Sequence, residues 1–288
     1  VFRYRIHTKK LRRAGFGGAI RVVNPFRREI GGIACLPSVA DLPEPPDAAF
    51  LGVNRNLTVQ VVRDLAALGA GGAVCFAAGF GEMGAEGQRL QADLVAAAGD
   101  LAVAGPNSNG LINRLDRLAL WPMADHDPAP VDRGPAIISQ SGGIAHAFVR
   151  DRRGLAPAVV ASTGNQVLLD VADWLAVLGE DPRVTAIGIF MEGPGDVAAL
   201  AEAAGVTRGR NLPVVVLKSG RSALGAEMAL THTGALAGDD DLFGALCERL
   251  GFTRVTTLPQ LFETLKALGT WGGRVGGNRM AVLTVSGA

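Results

Sequence analysis

The stretch Ala136-Ile-Ile-Ser-Gln-Ser-Gly-Gly-Ile-Ala-His-Ala-Phe148, "AIISQSGGIAHAF", decides the fold class. Its apolar run ends in Ser-Gln-Ser-Gly-Gly, and a helical pattern begins at once. A buried strand that passes through a glycine turn directly into a helix is typical of an α/β protein with a parallel sheet. The N–H groups at such a helix start, with the helix dipole behind them, form a site for phosphate or carboxylate. A simpler interpretation makes Ser141 only an N-cap.

The same alternation extends along the chain in both directions. Apolar runs that stop at turn residues are expected strands; they cover 19–25, 47–53, 72–80, 101–107, 136–141, 158–163, 184–192 and 212–220. Segments with helical spacing are expected helices; they cover 56–69, 87–99, 168–181, 240–251 and 258–269. This alternation predicts parallel sheets covered by helices on both faces.

A proline-rich segment at 121–135 interrupts the alternation and predicts a domain boundary. We therefore expect a first domain over 1–130 and a second over 131–276. After the glycine-rich stretch 269–278, residues 277–288 are expected to begin a truncated third domain. The chain opens on Val1 and closes in a strand pattern, so it is interpreted as a fragment. The basic N-terminus is interpreted as a helix face rather than a transit peptide or nucleic-acid arm.

The amino-acid composition excludes several classes of protein. Of 288 residues, 48% are hydrophobic and 19% charged, with a net charge of +1, which argues against a disordered or nucleic-acid-coating protein. No apolar run is long enough to span a membrane, so no membrane partner is expected. The three cysteines lack the spacing of a disulfide framework or zinc site. A cytoplasmic protein without a metal site of its own is therefore predicted.

Two residues at or beyond strand ends could carry chemistry. Glu192 closes an apolar run before a glycine turn, where a carboxylate is most often a solvated turn residue. It would be functional if it accepted the N–H of an imidazole and left the other ring nitrogen free to react. His232 stands between two threonines in "THTGALAG", downstream of Lys218, where a ring could act as a nucleophile toward a phosphoryl group. The other three histidines are interpreted as structural residues.

Several motifs together resemble a known family. They are "GPNSNGLIN", "IISQSGGIAHAF", "STGNQVLLDVADWL", "EDPRVTAIGIFMEG" and "PVVVLKSGRSALGAEMALTHTGALAG". Their order and sequence are similar to those of the NDP-forming acyl-CoA synthetases, the superfamily of succinyl-CoA synthetase and ADP-forming acetyl-CoA synthetase. The variant "GPNSNGLINRLDRLALWP" is most similar to members named as feruloyl-CoA synthetases.

The resemblance implies roles for the strand-end residues. His232 corresponds to the histidine that is phosphorylated, and Glu192 to the acid that hydrogen-bonds the far ring nitrogen. Ser141, Gly142 and Gly143 correspond to the helix N-terminus that holds the phosphate. Imidazole is a good phosphoryl acceptor, so the transfer can proceed in two steps without bringing coenzyme A, acid and nucleotide together.

The resemblance also implies a Rossmann-like CoA-binding domain, followed by a flavodoxin-like domain of the succinyl-CoA synthetase type. Arg27 or Arg28 is the candidate for a CoA phosphate, although two arginines in an exposed turn are ordinary. Ala78 and Gly79 match the strand end beside the nucleotide and pantetheine of coenzyme A, and Asn107 lies at the next strand end. The family's first strand and glycine-rich turn should precede residue 15, but no such turn is recognisable there.

The resemblance to this family also implies binding partners for the chain. An ATP-grasp domain or subunit, not recognisable in this chain, is expected to supply ATP or GTP with Mg²⁺, and the substrate is expected to be a small carboxylic acid. A homo- or hetero-oligomer is expected.

One alternative function is a non-catalytic CoA-binding regulatory module, as in acetyltransferase-linked relatives, or a decayed copy. The Thr-His-Thr motif, with Glu192 and Ser141, favours the enzyme. A Rossmann dehydrogenase is disfavoured because no Gly-x-Gly-x-x-Gly motif joins a first strand to a helix.

Overall fold

The computed structural model describes residues 11–123, 129–220, 240–271, 277 and 281. Over these residues the chain is an α/β protein built on three β-sheets. The stretch quoted above folds as predicted, because a fully buried strand over Gly134–Ser139 leads into a helix over Gly142–Arg150. The predicted fold class is thus confirmed.

The first part of the chain contains two three-stranded sheets. Its strands are β1 (Val22–Val23), β2 (Glu29–Ile30), β3 (Ile33–Leu36), β4 (Ala49–Leu51), β5 (Gly72–Cys75) and β6 (Ala102–Ala104). The strand orders are β1-β3-β2 and β4-β5-β6, and the second of these sheets is parallel. The connections that follow β4 and β5 lead into helices α1 (Arg55–Leu68) and α2 (Gly84–Ala98).

Local chemistry defines the ends of α1. The Asn54 side chain accepts a hydrogen bond from the N–H of Leu57 and so satisfies a free donor of the first turn. Gly69 ends the helix at a left-handed φ of 82°, which glycine adopts without strain. Between these ends, Val62 and Leu65 are buried on one face and pack with Leu94 of α2. The helix pair therefore covers one face of the parallel sheet.

The second part is organised around a seven-stranded sheet. Its strands are β7 (Gly110–Asn113), β8 (Leu118–Leu120), β9 (Gly134–Ser139), β10 (Val159–Ser162), β11 (Val184–Met191), β12 (Val214–Lys218) and β13 (Thr253–Val255), in the order β13-β12-β11-β9-β10-β7-β8. Its helices are α3 (Gly142–Arg150), α4 (Val171–Glu180), α5 (Val197–Gly209), α6 (Asp240–Leu250) and α7 (Leu258–Trp271). Strands β9 to β13 run parallel. Strand β7 pairs antiparallel with β10, and β8 pairs antiparallel with β7.

Helices cover both faces of this sheet. On β9, Ile138 joins the apolar cluster formed with α4, α5 and α6, whereas its neighbour Ile137 joins the cluster with α3 and α7. Successive strand residues point to opposite faces, so a strand covered on both sides is apolar throughout. The uninterrupted apolar runs in the sequence have this origin, and the expected covering by helices on both faces is confirmed for this sheet.

The boundary between the sheets lies earlier in the chain than the domain boundary predicted from composition. Strands β7 and β8 precede residue 130, yet Ile112 of β7 pairs with Val160 of β10 in the second sheet. The hydrogen-bonded sheets separate at 105–109, and the division at 130 stays a prediction about domains. Of the expected third domain, only residues 277 and 281 are described, and residues 1–10 are also outside the described part. No described helix has the length and apolar character needed to cross a membrane.

Candidate functional site at two sheet edges

A cavity of about 680 Å³ opens at the carboxyl ends of the parallel strands β4 and β5. Its lining residues are Gly52, Val53, Asn54, Arg55, Phe76, Ala77, Ala78, Asn107 and Asn109. Ligands of parallel sheets bind at this edge because the connecting loops diverge there. Two of the predicted site residues, Ala78 and Asn107, thus lie in the cavity wall.

The loop after β5 is held in place by side chains. The carboxylate of Glu82 accepts hydrogen bonds from the backbone N–H of Gly79 at 2.7 Å and of Phe80 at 3.2 Å. The guanidinium of Arg55 donates to the carbonyl of Gly79 at 2.9 Å, and the N–H of Gly81 reaches Gln91 Oε1 at 3.1 Å. Gly79 itself is not among the lining residues, and both of its backbone polar groups are bonded within the protein. It shapes the cavity through the loop.

The two candidate arginines lie elsewhere. Arg27 and Arg28 occupy the exposed connection between β1 and β2, next to Phe26, which is 93% exposed. Neither is among the residues lining the cavity. Their assignment to a CoA phosphate stays a prediction.

The predicted anion site lies at the N-terminus of α3. The hydroxyl of Ser141 accepts a hydrogen bond from the N–H of Ile144 at 3.3 Å, so Ser141 is the N-cap of α3. The N–H groups of a first helical turn have no partner within the helix, and Gly142 and Gly143 begin this one. Gly143 is exposed and Gly142 is half-buried, which leaves the first turn open to an anion.

Glu192 and Lys218 lie at neighbouring strand ends beside this helix. Glu192 follows β11 and is only 9% exposed, and its backbone N–H donates to Oε1 of Gln140, the residue after β9. Lys218 ends β12, pairs in register with Met191 and is 2% exposed. Its ammonium donates to the carbonyl of Ser219 at 3.2 Å. The order β12-β11-β9 therefore brings a cation, a carboxylate and a helix N-terminus to one sheet edge.

His232 lies in 221–239, outside the described residues. The described chain stops at Gly220, directly after Lys218 and Ser219 at the same sheet edge. Whether the imidazole meets Glu192 stays a prediction.

The cavity and the helix N-terminus are connected by Asn109. Its side-chain amide donates to the carbonyl of Gly142 at 2.8 Å, and its backbone N–H donates to the hydroxyl of Ser162 at 3.2 Å. A Cβ at Gly142 would lie 2.6 Å from the Asn109 amide nitrogen, so a larger residue there would displace the Asn109 side chain. Asn109 also lines the cavity, and the two candidate sites are therefore adjacent.

Sequence reasoning missed Glu82, Asn109, Gln140 and Asn165. Each is a polar residue just beyond a strand or in the short loop that follows it, the same signal that identified Glu192. Their partners are distant in sequence, as in the pairing of Asn165 with Glu82 across 83 positions. The sequence alone did not reveal those partners.

Two domain families match this architecture. Residues 5–114 match the CoA binding domain, and residues 133–268 match the succinyl-CoA ligase like flavodoxin domain. Among curated proteins, the chain is 36% identical over 276 residues to acetate–CoA ligase [ADP-forming] I of Archaeoglobus fulgidus, covering 94% of this chain and 39% of that one. It is 35% identical over 279 residues to trans-feruloyl-CoA synthase FCS1 of an unknown prokaryotic organism, covering 95% and 39%.

Solved structures agree with the sequence matches. The chain superimposes with a TM-score of 0.81 and 29% identity on the dinucleotide forming acetyl-coenzyme A synthetase 1 of Ca. Korarchaeum cryptofilum, in complex with phosphate and ADP. The match covers 92% of this chain and 57% of that one. The fold and the matched domains define an α/β protein with a CoA-binding domain followed by a flavodoxin-like domain. The chain contains these two domains and is similar to the matching part of NDP-forming acyl-CoA synthetases, and it spans about two fifths of the length of the two curated relatives.

Proposed function

We propose that this chain is the part of an NDP-forming acid–CoA ligase that transfers the phosphoryl and acyl groups. The overall reaction converts a carboxylic acid, coenzyme A and a nucleoside triphosphate into acyl-CoA, nucleoside diphosphate and phosphate. One observation carries the proposal: Asn109 lines the cavity of the CoA-binding domain and bonds the first residue of α3. A thiol held in the cavity would then lie close to a phosphate held at the helix N-terminus.

The steps use groups at the second sheet edge. The imidazole of His232 attacks the terminal phosphorus of the triphosphate; an N–P bond forms and the bond to the diphosphate breaks. A carboxylate oxygen of the acid then takes the phosphoryl group, which gives an acyl phosphate and frees the imidazole. The thiolate of coenzyme A attacks the acyl carbon, and inorganic phosphate leaves.

The protein stabilises the charge that moves in these steps. The first turn of α3, capped by Ser141, offers N–H groups to phosphoryl oxygens at the positive end of the helix dipole. Glu192 would accept the second ring N–H and hold the tautomer that reacts. The buried ammonium of Lys218 adds a fixed positive charge at the same edge.

The remaining partners belong to the same proposal. ATP or GTP, with Mg²⁺, would bind an ATP-grasp domain or subunit, and the acid would meet the cavity from the α3 side. Assembly into homo- or hetero-oligomers would bring that domain to the sheet edge. We place the reaction in the cytoplasm.

The decisive experiment is transfer of labelled phosphate from γ-labelled ATP or GTP, or from acetyl phosphate, to this chain in the presence of its ATP-grasp partner. We expect a label that is lost in acid and stable in base, as an N–P bond requires. The label should be absent in His232→Ala and retained in His126→Ala, the matched control. A label that persists in His232→Ala would reject the assignment of the acceptor, and an unlabelled wild-type chain would favour the regulatory alternative.

A further inference from the structure

A line of three polar side chains joins the second sheet to the cavity wall. The amide nitrogen of Asn165, in the loop after β10, donates to Glu82 Oε2 at 2.5 Å. The amide oxygen of Asn165 accepts from the amide nitrogen of Asn107 at 3.3 Å. We call this line the Glu82–Asn165–Asn107 relay; it starts behind the loop after β5 and ends on a residue that lines the cavity.

The chemistry of Glu82 fixes the direction of the relay. An ionised carboxylate can only accept hydrogen bonds, so Asn165 must turn its NH₂ group toward Glu82. Its carbonyl oxygen then faces Asn107, which must in turn point its own NH₂ group at Asn165. The charge of Glu82 thus determines which way both asparagine amides are turned. Their oxygen and nitrogen atoms are assigned from the hydrogen-bond network, because the two ends of an amide have nearly the same shape.

Glu82 is held in its ionised form. Burial is the largest single influence on this carboxyl group and opposes ionisation, but it is outweighed by hydrogen bonds from the backbone N–H of Gly79, of Glu82 itself and of Phe80 and from the Asn165 amide. The pKa of Glu82 therefore lies below its ordinary value.

Hydrogen bonds hold both the backbone and the side chain of Asn107. Its backbone N–H donates to the carbonyl of Ala77 at 2.8 Å, and its φ of 58° is the left-handed conformation that asparagine tolerates. Its side-chain nitrogen is bonded to Asn165, and its side-chain oxygen accepts no hydrogen bond from any residue in the described part of the chain. Asn107 lines the cavity, and its Oδ1 is therefore the acceptor that this side chain offers to a ligand.

We propose that Glu82 and Asn165 are positioning residues that orient Asn107, so that Asn107 Oδ1 accepts a hydrogen bond from an amide N–H of the ligand in the cavity. The identity of that ligand as coenzyme A, whose pantetheine arm carries two amide groups, rests on the proposed function. The relay adds a reason for selectivity: a ligand without the N–H leaves a polar acceptor unpaired.

The test compares binding of coenzyme A with that of two analogues, each with one pantetheine amide N–H replaced by an ester oxygen. We expect the wild-type chain to bind one analogue about five- to tenfold more weakly than coenzyme A, the effect of one hydrogen bond. Glu82→Gln brings two donors face to face and can reverse both amides, so this discrimination should fall to about twofold or less. Asn165→Ala interrupts the relay and leaves the contacts of Glu82 with Gly79 and Phe80 intact; it should give the same loss.

The double variant Glu82→Gln/Asn165→Asp restores the direction of the relay, because the glutamine amide can donate to the aspartate and the aspartate can accept from Asn107. We expect discrimination to return in this variant, and to be unchanged in Asp93→Asn, which removes an exposed carboxylate from α2. Undiminished discrimination in both single variants, or no return in a folded double variant, would overturn the inference alone. Failure of the folded wild-type chain to bind coenzyme A would overturn the cavity assignment in the proposed function and the inference with it.

Discussion

At the scale of the residue, burial distinguishes Glu192 and Lys218 from ordinary turn residues. Charged side chains are rarely fully buried because removing them from water is costly unless they are paired or hydrogen-bonded. Glu192 is 9% exposed and Lys218 is 2% exposed, and both lie at the carboxyl edge of the seven-stranded sheet. The sequence pattern alone favoured a solvated Glu192, and the structure shows that this expectation is wrong.

Replacing Glu192 by glutamine should weaken phosphoryl transfer without unfolding the protein. Glutamine keeps the shape, but it removes the negative charge that would orient and stabilise the imidazole. We expect the rate of His232 labelling to fall by roughly 10- to 100-fold, the effect of losing an orienting carboxylate behind a functional imidazole. Circular dichroism checks the fold, and Glu180→Gln, at an exposed position of α4, is the matched control. A variant that fails to fold would instead assign Glu192 a structural role.

The three cysteines should differ in reactivity. Burial raises the pKa of Cys75 to about 12, and it also raises the pKa of Cys247, whereas Cys35 is partly exposed on β3. Because the thiolate is the reactive form, a thiol reagent at pH 8 should modify one thiol of the native chain quickly and two more only after unfolding in urea. Cys35→Ser should abolish the fast phase. A fast phase that persists in this variant would show that a buried thiol is accessible.

At the scale of the element, glycines allow the two parts of the chain to approach closely. Gly164, in the loop after β10, has a φ of 62°, and a Cβ there would lie 2.3 Å from the carbonyl oxygen of Pro106. In the same region the N–H of Asn165 donates to that carbonyl, and the N–H of Val167 donates to the carbonyl of Gly105 at 3.2 Å. Backbone therefore packs directly on backbone beside Asn107.

Gly164→Ala should destabilise the protein more than a glycine replacement whose only effect is a strained backbone conformation. Gly154 is the matched control, since its φ is 87° and no atom would lie within 4 Å of its Cβ. We expect Gly154→Ala to lower the free energy of unfolding by about 1–2 kcal/mol, because alanine is strained in the left-handed conformation. Gly164→Ala should lower it by about 1–3 kcal/mol more, because the backbone around its Cβ must also move. Urea unfolding measures both changes. Equal costs would show that the two loops separate easily.

The strands buried on both faces could be predicted from sequence, but their partners could not. The expected elements also did not include β2, β3, β7, β8, β13 and α5. Continuous apolar runs identified β9, β10, β11 and β12, because strands buried on both faces carry no alternation. The hairpin β7–β8 was assigned to the first domain by its place in the chain, since nothing local in "GLIN" or "LAL" shows that it pairs with β10. Contacts such as Asn109 with Gly142 depend on that long-range pairing, so the connection between the two candidate sites was also missed.

At the scale of the whole molecule, hydrogen bonds connect the cavity wall to the second sheet. The cavity is lined by residues 52–55, 76–78, 107 and 109, but Asn107 also bonds the loop after β10 and Asn109 the first residue of α3. Between them, the hydroxyl of Ser108 donates to the carbonyl of Ser162. The chain that lines the cavity continues directly into β7, which belongs to the seven-stranded sheet. A ligand in the cavity should therefore stabilise both parts together.

This coupling predicts how coenzyme A affects thermal unfolding. Ligand at 100 times its dissociation constant stabilises the native state by about 2.7 kcal/mol, which corresponds to an increase in Tm of roughly 5–10 °C for a protein of this size. Because the two parts share the contacts of Asn107 and Asn109, we expect calorimetry to show one transition that moves as a whole. Asn109→Ala removes the bond to Gly142 and should broaden or split the transition. Two transitions in the wild-type chain, of which coenzyme A moves only one, would show that the parts unfold independently and that the adjacency of cavity and helix is not maintained by these bonds.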